Sequence, residues 1–567
     1  MGRRVYRRWA FALITAVVCV SFGGAAAAVE RAKNVIVLIA DGCSSEQYTF
    51  ARWFKGAPLS FDPIRVGAIR TFIADSVVAD SAPAASAFAT GVRTSDKFIS
   101  VGPRAETISG VPTPEPELRH RPLATVLEGA RLMGKATGIV ATSRVTHATP
   151  AAYMAHVHDR GMEDDIMEQA IYQGVDVVFG GGKRHLVPEE SRGRRADGED
   201  LTVELKSLGY RIVEDRDAMM DVREGRVFGL FAHSHMDAEI DRPHLHPGQP
   251  TLAEMTTKAI ELLSRDPQGF FLMVEGSQID WACHANDPAH LLSDLLAFEE
   301  AVKAALDFAR KDGRTLVLAI SDHNTGGFSI GNDRSSRTYS QLKPHHLIEP
   351  FKKMSASAGA LWSRMGEERT AGKLKGVVKE GWGLDITEED ALRVLALAEH
   401  YKKEKLEEYY ALGRVICSRY TYVGWATHGH SGGDVPLHAF GPGRPTGVVD
   451  GPEVGSLCAR AMGLDLERLN RRLFVEAGRA FGDANVRVDK FDLANPVVLI
   501  TYRGKTAELP VNKHWLIHDG RAQRMEGVVV YAAKKERAYI PLQAVNIIKG
   551  SRSALPSVVS HKYLKIF

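Results

Sequence analysis

The chain is poor in cysteine and has no marked excess of charge of either sign. Only five of its 567 residues are cysteines, which excludes a small scaffold held together by disulfides. The formal net charge of +3 is too small for a protein that binds nucleic acid mainly through charge. No apolar run reaches the ~18 residues that a membrane span needs. With 44% hydrophobic and 25% charged residues, the composition is typical of a globular protein and excludes a largely disordered chain.

The first 28 residues predict an export signal. Four arginines precede an apolar run from Trp9 to Val20, and a Gly-Gly-Ala-Ala-Ala-Ala stretch follows it as a cleavage region. A buried N-terminal helix is the alternative interpretation. Cleavage near Ala28 would remove the four arginines, take the net charge from +3 to −1, and place the protein in the periplasm or outside the cell. Four cysteines would remain, and the sequence does not show whether they pair: Cys43, Cys283, Cys417 and Cys458.

Short apolar segments alternate with helical ones along the chain, which predicts an α/β fold with a parallel-rich central sheet and helices on both faces. The predicted strands lie at 34–40, 137–142, 175–179, 270–274, 316–320 and 435–440, and helices at 122–133, 251–263 and 290–310. Residues at about 330–424 read as a charged, helical insertion, and the chain becomes β-rich after 482. We therefore expect a signal peptide over 1–28, a main domain over 29–482 that carries the insertion, and a small C-terminal β-rich subdomain over 483–567.

Acidic residues and histidines recur where the predicted strands end. Asp41 follows the first strand, Glu275 follows the strand at 270–274, and Asp322 and His323 follow the strand at 316–320. Because ligands bind outside the carboxyl ends of strands in open α/β sheets, we expect these side chains to share one crevice. Crowded carboxylates raise one another's pKa unless a cation lies between them, and mixed carboxylate and imidazole ligands suit zinc. Each residue alone would more often be a cap or a surface residue, but the set predicts a metal site.

Ser81 begins a run of small helix formers that extends from Asp80 to Gly91, with Pro83 in its first turn. A serine at this place is most often an N-cap. The alternative is a nucleophile, because the N-terminus of a helix stabilises an alkoxide or a bound phosphate.

Six segments, in this order along the chain, resemble those of the alkaline phosphatase family, whose bacterial members are exported and metal-dependent. They are Asp41-Gly42, Asp80 to Gly91, Thr146 to Arg160, Val274 to His284, Ser321 to Gly327, and His430 to Gly432. The resemblance runs from Asn34 to about Gly443 and is interrupted by the insertion. It implies a hydrolase of phosphate monoesters that passes through a phosphoserine.

The resemblance also implies a role for each site residue. Ser81 would be the nucleophile, and Arg160, oriented by Asp80, would bind two phosphate oxygens beside Trp281. One zinc ion would be held by Asp280, His284 and His430, a second by Asp41, Asp322 and His323, and a magnesium ion by Asp41, Thr149 and Glu275.

Two residues depart from the pattern of many relatives. His147 stands where an aspartate is frequent beside the third metal, so the identity of that metal stays open. Trp281 stands where some relatives have lysine or histidine, which removes a charged contact to phosphate. Further histidines are either an extra metal site or parts of solvated loops: His233, His235, His244, His246, His345 and His346.

Other functions remain open from the sequence alone. The segment Ser81-Ala82-Pro83 resembles the start of a sulfatase motif, which makes a sulfatase one alternative. However, Ala85 stands where that motif has arginine. A phosphodiesterase of the same superfamily and a phosphate-binding protein without catalysis are further alternatives. We expect phosphate scavenging from small phosphate monoesters, no specific binding of nucleic acid and no membrane span after signal removal. The sequence leaves the oligomeric state open, and a homodimer, as found among relatives, is one alternative.

Overall fold

The computed structural model describes residues 31–550, so the predicted signal peptide lies outside the described residues. Within that range, none of the helices combines the length and the apolar character required to cross a membrane.

The strands occur in the following order. They are β1 Asn34–Ala40, β2 Arg65–Arg70, β3 Ala136–Arg144, β4 Val177–Gly181, β5 Tyr210–Val213, β6 Arg226–Leu230, β7 Phe270–Gly276, β8 Thr315–Ile320, β9 Asn324–Thr325, β10 Phe328–Ile330, β11 Val423–Trp425, β12 His430–Ser431, β13 Val435–Phe440, β14 Gly447–Asp450, β15 Val475–Glu476, β16 Val486–Asp489, β17 Val497–Tyr502, β18 Lys505–Pro510, β19 Trp515–His518, β20 Arg521–Arg524, β21 Val530–Ala532 and β22 Arg537–Ile540.

The helices are interspersed among these strands. They are α1 Ser45–Lys55, α2 Ser81–Thr90, α3 Val126–Leu132, α4 Ala148–Met154, α5 Glu163–Gln173, α6 Leu201–Ser207, α7 Arg216–Met220, α8 Arg242–Leu245, α9 Leu252–Leu263, α10 Gln278–His284, α11 Pro288–Asp312, α12 Pro344–Ile348, α13 Ala358–Met365, α14 Ala371–Trp382, α15 Glu388–Lys403, α16 Tyr410–Leu412, α17 Ser418–Tyr420, α18 Gly451–Met462, α19 Leu466–Leu473, α20 Ala477–Phe481 and α21 Leu542–Ile548. A π-helical turn at Gly413–Cys417 joins α16 to α17.

A ten-stranded sheet forms the centre of the molecule, in the order β14-β2-β13-β8-β1-β7-β3-β4-β6-β5. The seven strands from β8 to β5 run parallel to one another. Strand β13 is antiparallel to both of its neighbours, β8 and β2. The predicted α/β fold with a mostly parallel sheet is confirmed.

Both faces of this sheet are buried, which explains why its central strands are continuous apolar runs rather than alternating ones. In β1, Ile36 and Leu38 join the hydrophobic cluster on one face, while Val35 and Val37 join the cluster on the other. Helices α9 and α11 pack over the first face, and α3 and α18 pack over the second.

Two helix starts illustrate how local signals set the boundaries. The predicted capping box of α9 is present, because Thr251 Oγ1 accepts a hydrogen bond from the Glu254 backbone N–H at 3.1 Å. The helix predicted from residue 122 begins four residues later, at Val126. Thr125 caps it through the Glu128 N–H at 3.1 Å, and Pro122 instead pairs with Val101 in an isolated bridge.

The region predicted as an insertion contains helices α12 to α17. Strands β10 and β11 lie at the two ends of this region and pair as an antiparallel ribbon, with Phe328 opposite Trp425. Its apolar residues, such as Leu361 and Trp382, belong to the same cluster as Ile36 of the central sheet. The insertion therefore packs onto the core next to the segments that lead into β9 and β12.

The C-terminal region contains a five-stranded antiparallel sheet, β16 to β20, and a three-stranded sheet of β15, β22 and β21. It has a hydrophobic cluster of its own that includes Val498, Ile500 and Ile540, while Trp515 and Val530 pack into the main core. The small antiparallel C-terminal sheet matches the predicted fold class, but the domain boundaries near 28, 330, 424 and 483 stay predictions.

Candidate active site

The carboxyl ends of neighbouring parallel strands bring the predicted acidic residues together. Asp41 directly follows β1, Asp322 lies two residues after the end of β8, and Glu275 is the penultimate residue of β7. Gly42 has a φ of 68°, and a Cβ there would lie 2.6 Å from Asp280 Oδ1. Glycine at this turn therefore lets the backbone pass close to the carboxylates, and its N–H donates to Asp322 Oδ1 at 3.1 Å.

The structure gathers most predicted metal ligands into three overlapping groups, in each of which the ligand atoms lie within 4.8 Å of one another. The groups are Asp280 with His323 and His430, Asp41 with Asp322 and His323, and Asp41 with His147 and Glu275. His284 lies beside the first group, with its Nε2 3.1 Å from Asp280 Oδ2. The residues assigned to two zinc ions thus share one crevice.

The backbone orients two imidazoles for metal binding, those of His430 in the first group and of His284 beside it. His430 Nδ1 donates to the Ala79 carbonyl at 2.8 Å, and His284 Nδ1 donates to the His428 carbonyl. With Nδ1 occupied, Nε2 of each ring faces the Asp280 carboxylate, at 3.7 and 3.1 Å. A hydrogen bond from the second ring nitrogen to a carbonyl is the usual arrangement of a metal-binding histidine.

The electrostatics of the crevice also fit a cation. Burial, together with the charge of neighbouring carboxylates, holds the pKa of Asp41 well above its usual range and raises the pKa of Asp322 to about 8. Burial raises the pKa of Asp280 too, but the nearby His284, His430 and His323 outweigh it and hold that pKa well below its usual range. A positive ion among these groups would relieve the repulsion among the carboxylates.

Several buried polar atoms of the site have no hydrogen-bond partner. They are Oδ1 and Oδ2 of Asp41, Oδ2 of Asp322, Oε1 of Glu275, Oγ1 of Thr149 and Nδ1 of His147. Buried polar groups are normally paired, so a cluster of unpaired oxygens around one point needs an explanation. Oxygen and imidazole ligands for divalent cations provide it, and the donor set fits two zinc ions and a harder third ion.

Ser81 lies at the first position of α2, buried among these groups. Its Oγ is 3.0 Å from His323 Nε2. Asp80, the residue at the N-cap, extends its carboxylate to Arg160, whose Nη1 donates to Asp80 Oδ1 at 2.6 Å. Burial raises the pKa of Asp80, but the Arg160 guanidinium outweighs it, so that this carboxylate stays charged and the pair is held together.

The third group is more unusual. Arg160 Nη2 donates to His147 Nε2 at 2.9 Å, so the imidazole accepts a bond from the same guanidinium that Asp80 holds. Burial and the Arg160 charge keep the pKa of His147 well below its usual range, so that the ring is neutral. Thr149 follows in the first turn of α4, beside Glu275, and Ser143 donates to the Glu275 carboxylate at 3.1 Å.

Trp281 packs against this third group. Its ring centroid lies 5.3 Å from that of His147 and 4.1 Å from that of His235. His235 in turn contacts the Arg144 guanidinium. Of the histidine-rich stretch, His235 therefore belongs to the surroundings of the site, whereas His233, His244 and His246 are exposed.

Three residues next to the proposed ligands have no role predicted from the sequence. Thr325 belongs to the Ser321 to Gly327 segment of the family resemblance, and its Oγ1 donates to Asp280 Oδ1 at 2.5 Å. His428 Nδ1 donates to the His284 carbonyl at 2.7 Å, and Tyr401 of the insertion bonds its other ring nitrogen at 2.8 Å. No spacing in the sequence links Tyr401 to His284.

The four cysteines within residues 31–550 are all buried and free. Cys43 and Cys283 lie next to ligand positions in the sequence, and burial raises the pKa of both thiols above the usual range. Neither belongs to the candidate metal groups found among residues 31–550. They act as small packing residues under the site.

Comparison with known proteins agrees with this geometry. The alkaline phosphatase family model matches residues 32–464. Alkaline phosphatase 3 of Bacillus subtilis is 36% identical over 453 residues, which cover 76% of this chain and 89% of that protein. The crystal structure of Thermus thermophilus alkaline phosphatase superposes with a TM-score of 0.67 at 29% identity, covering 78% of this chain and 95% of that one.

A further structure bears on the third group. It is a variant of the alkaline phosphatase from the Antarctic bacterium TAB5 in which a histidine is replaced by aspartate and magnesium is bound in the M3 site. It superposes with a TM-score of 0.53 at 26% identity and covers 77% of this chain and 99% of that one. Given the extent of the family match and the identity to the Bacillus protein, this chain is a phosphatase that belongs to the alkaline phosphatase family.

Proposed function

We propose that the protein hydrolyses phosphate monoesters through a phosphoserine formed on Ser81, at a site that holds two zinc ions and a third divalent ion. The observation that carries the proposal is the position of Ser81. Its hydroxyl lies at the start of α2, 3.0 Å from His323 Nε2, in a crevice that also contains the paired Asp80 and Arg160.

The metal assignment follows the ligand groups. The first zinc ion would be held by Asp280, His284 and His430, the second by Asp41, Asp322 and His323, and the third ion by Asp41, Thr149 and Glu275. Zinc ions bound at these residues lower the pKa of a hydroxyl group and neutralise charge on phosphate oxygens. Family membership implies divalent metals, and the identity of each ion is part of the proposal.

Binding and orientation of the ester fall to Arg160. Its guanidinium is already fixed by Asp80 and His147, so its remaining N–H groups can bind two phosphate oxygens with little loss of side-chain freedom. The N-terminus of α2 adds a favourable interaction with the negative phosphate. Trp281 borders the site through its contact with His147 and offers no charge to the ester.

The reaction then takes two balanced steps. Ser81 Oγ loses its proton and attacks phosphorus while the bond between phosphorus and the alcohol oxygen breaks, and the alcohol leaves with a proton. Water next attacks the phosphoserine, the bond between phosphorus and Oγ breaks, and Ser81 regains a proton as phosphate departs. The negative charge of each transition state develops next to Arg160 and the start of α2.

His147 sets the character of the third site in this proposal. Imidazole is a softer ligand than carboxylate, so we expect this site to select magnesium less strongly than a site with aspartate at that position. The magnesium-bound TAB5 variant, in which a histidine was replaced by aspartate, supports this reading.

Export, domain organisation and biological role belong to the same proposal. We infer cleavage near Ala28, a catalytic domain over 29–482 with the insertion at about 330–424, and a C-terminal subdomain from 483. Phosphate scavenging outside the cytoplasm is the role that fits such an enzyme, and a homodimer, as found among relatives, is one alternative for its assembly. N-terminal sequencing of the exported protein tests the cleavage site, because an intact Met1 would rule out removal.

The experiment for the proposed activity compares three chromogenic substrates that share one leaving group: p-nitrophenyl phosphate, bis(p-nitrophenyl) phosphate and p-nitrophenyl sulfate. We expect the monoester to be hydrolysed with the highest kcat/KM. Chelation should abolish that activity, and added zinc and magnesium should restore it. Faster hydrolysis of the diester or the sulfate, or activity that resists complete metal removal, would contradict the proposal.

A further inference from the structure

A cavity of about 300 Å³ lies between the core and the C-terminal strands. Val101, Val157 and Met162 line it from the core, and Pro496, Val511 and Val530 line it from the C-terminal side. None of the proposed metal ligands, and neither Ser81 nor Arg160, is among its lining residues. The family match ends at residue 464, so one whole wall of this cavity is built by a region outside that match.

The polar groups around this apolar interior include more basic than acidic side chains. Lys490 and Lys534 lie at its exposed edge, and His120 and His158 line it from the core. His120 Nδ1 is buried and has no hydrogen-bond partner. The carboxylate of Asp165 is already engaged, because Asn512 donates to its Oδ1 at 2.6 Å.

The chemistry of a ligand follows from this lining. Apolar walls would cover a hydrophobic body, as in most small-molecule sites, and a few polar groups would fix its orientation. Two lysines and an unpaired imidazole nitrogen favour a negatively charged head group. Burial lowers the pKa of His120, and the nearby positive charges of Lys535, Arg104 and Lys534 lower it further, as expected where the local potential is positive.

The same cavity touches the segment that carries the phosphate-binding arginine. His158 and Met162, which line the cavity, flank Arg160 in the chain. The segment is anchored on its other side, because Arg160 N–H donates to the Lys97 carbonyl at 2.9 Å, and Val157 exchanges hydrogen bonds of 3.0 and 3.1 Å with Ile99. A ligand in the cavity would therefore contact His158 and Met162, which lie on either side of Arg160 in the segment that positions its side chain.

We propose that this cavity is a second ligand site, for a small amphipathic anion with an apolar body and one carboxylate, sulfonate or phosphate group. Its occupancy alters the affinity of the active site for phosphate through the segment from Val157 to Met162. The proposal extends beyond phosphate-ester hydrolysis, since the ligand is neither bound nor transformed by the catalytic groups.

The test uses the full, metal-loaded enzyme and 8-anilinonaphthalene-1-sulfonate, a fluorescent amphipathic anion. Inorganic phosphate is kept at saturation so that the active site is occupied. We expect saturable binding at one site per chain, seen as a rise in fluorescence. Lys534→Glu should weaken binding about five- to tenfold, because it replaces attraction with repulsion at the edge of the cavity.

Two further variants and a control make the result specific. His120→Asn keeps a residue that tolerates the positive φ of 55° and removes the imidazole, and it should also weaken binding several-fold. Ala533→Trp should block the cavity. Lys505→Glu reverses the charge of an exposed residue at the start of β18 that does not line the cavity, and this variant should bind the probe as the wild type does.

The outcomes separate the two parts of the proposal. Equal binding by the wild type and by the Lys534, His120 and Ala533 variants would overturn the site. The inhibition constant of phosphate against p-nitrophenyl phosphate, measured with and without saturating probe, tests the coupling. An inhibition constant that does not change would overturn communication with Arg160, even if the probe binds in the cavity.

Discussion

Tyr401 of the insertion is expected to hold the proposed metal ligand His284 in place, although Tyr401 itself is not one of the proposed ligands. Its hydroxyl donates to His428 Nε2 at 2.8 Å, His428 Nδ1 donates to the His284 carbonyl at 2.7 Å, and His284 Nδ1 donates back to the His428 carbonyl. Tyr410 stacks on the His428 ring, with centroids 5.2 Å apart and planes 17° apart. This series of hydrogen bonds fixes the tautomer of His284 and leaves its Nε2 free for the proposed metal ion.

The expected cost of Tyr401→Phe follows from these contacts. The variant loses one neutral hydrogen bond, worth about 0.5–1.5 kcal/mol, and leaves a half-buried ring nitrogen of His428 without its donor. Losing an outer partner of a metal-binding histidine typically lowers metal affinity 10- to 100-fold. Tyr401 bonds His428 rather than His284 itself, so we expect the smaller effect of this range. The variant should lose about tenfold in affinity for the proposed zinc ion at Asp280, His284 and His430.

The assay is competition with a chromophoric chelator, followed together with hydrolysis of p-nitrophenyl phosphate. Tyr420→Phe is the matched control, because Tyr420 lies in the same insertion and donates its hydroxyl to Asp390 Oδ2 at 2.7 Å, with no contact to His428. We expect Tyr401→Phe to release one zinc ion more readily and to regain activity with excess zinc. Equal zinc release by both variants would refute the connection between the insertion and His284.

Three further predictions concern the catalytic groups themselves. Ser81→Ala should lower kcat by several orders of magnitude without changing the thermal unfolding temperature, and a turnover near the wild-type value would exclude Ser81 as the nucleophile. Arg160→Ala should raise the inhibition constant of phosphate about 10- to 150-fold, the loss expected for charge-assisted bonds worth about 1.5–3 kcal/mol; unchanged inhibition would mean that another group binds the ester. His147→Asp should increase the dependence of activity on added magnesium after stripping and reloading with zinc, because it supplies an oxygen ligand. If the wild type already depends on magnesium as strongly as this variant, His147 does not tune the third site.

The sequence predicted the parts of the fold whose signals are local. Strands β1 and β13 have the predicted bounds, because runs of apolar residues flanked by turn residues have few alternative placements. The helix predicted from residue 122 begins instead at Val126, because Thr125 and Glu128 form a capping box that sets its start.

The candidate site was predictable for a different reason. Of its proposed ligands, Asp41, Glu275 and Asp322 lie at or just after the ends of strands, and the order of motifs along the chain pointed to one family. Contacts across long separations were not predictable, because they depend on how the insertion folds back onto the core. Tyr401 reaches His428 from α15, and His235 reaches Trp281 from a loop that precedes α8. No periodicity or spacing marks such pairs.

The most direct test of the central claim is to trap the phosphoenzyme. The metal-loaded protein is incubated with a phosphate monoester, quenched in acid and mapped by mass spectrometry of its peptides. The account predicts one phosphate, on Ser81, that is absent from the Ser81→Ala variant and from enzyme without substrate. Phosphate found on any other residue, with Ser81 unmodified, would contradict the account.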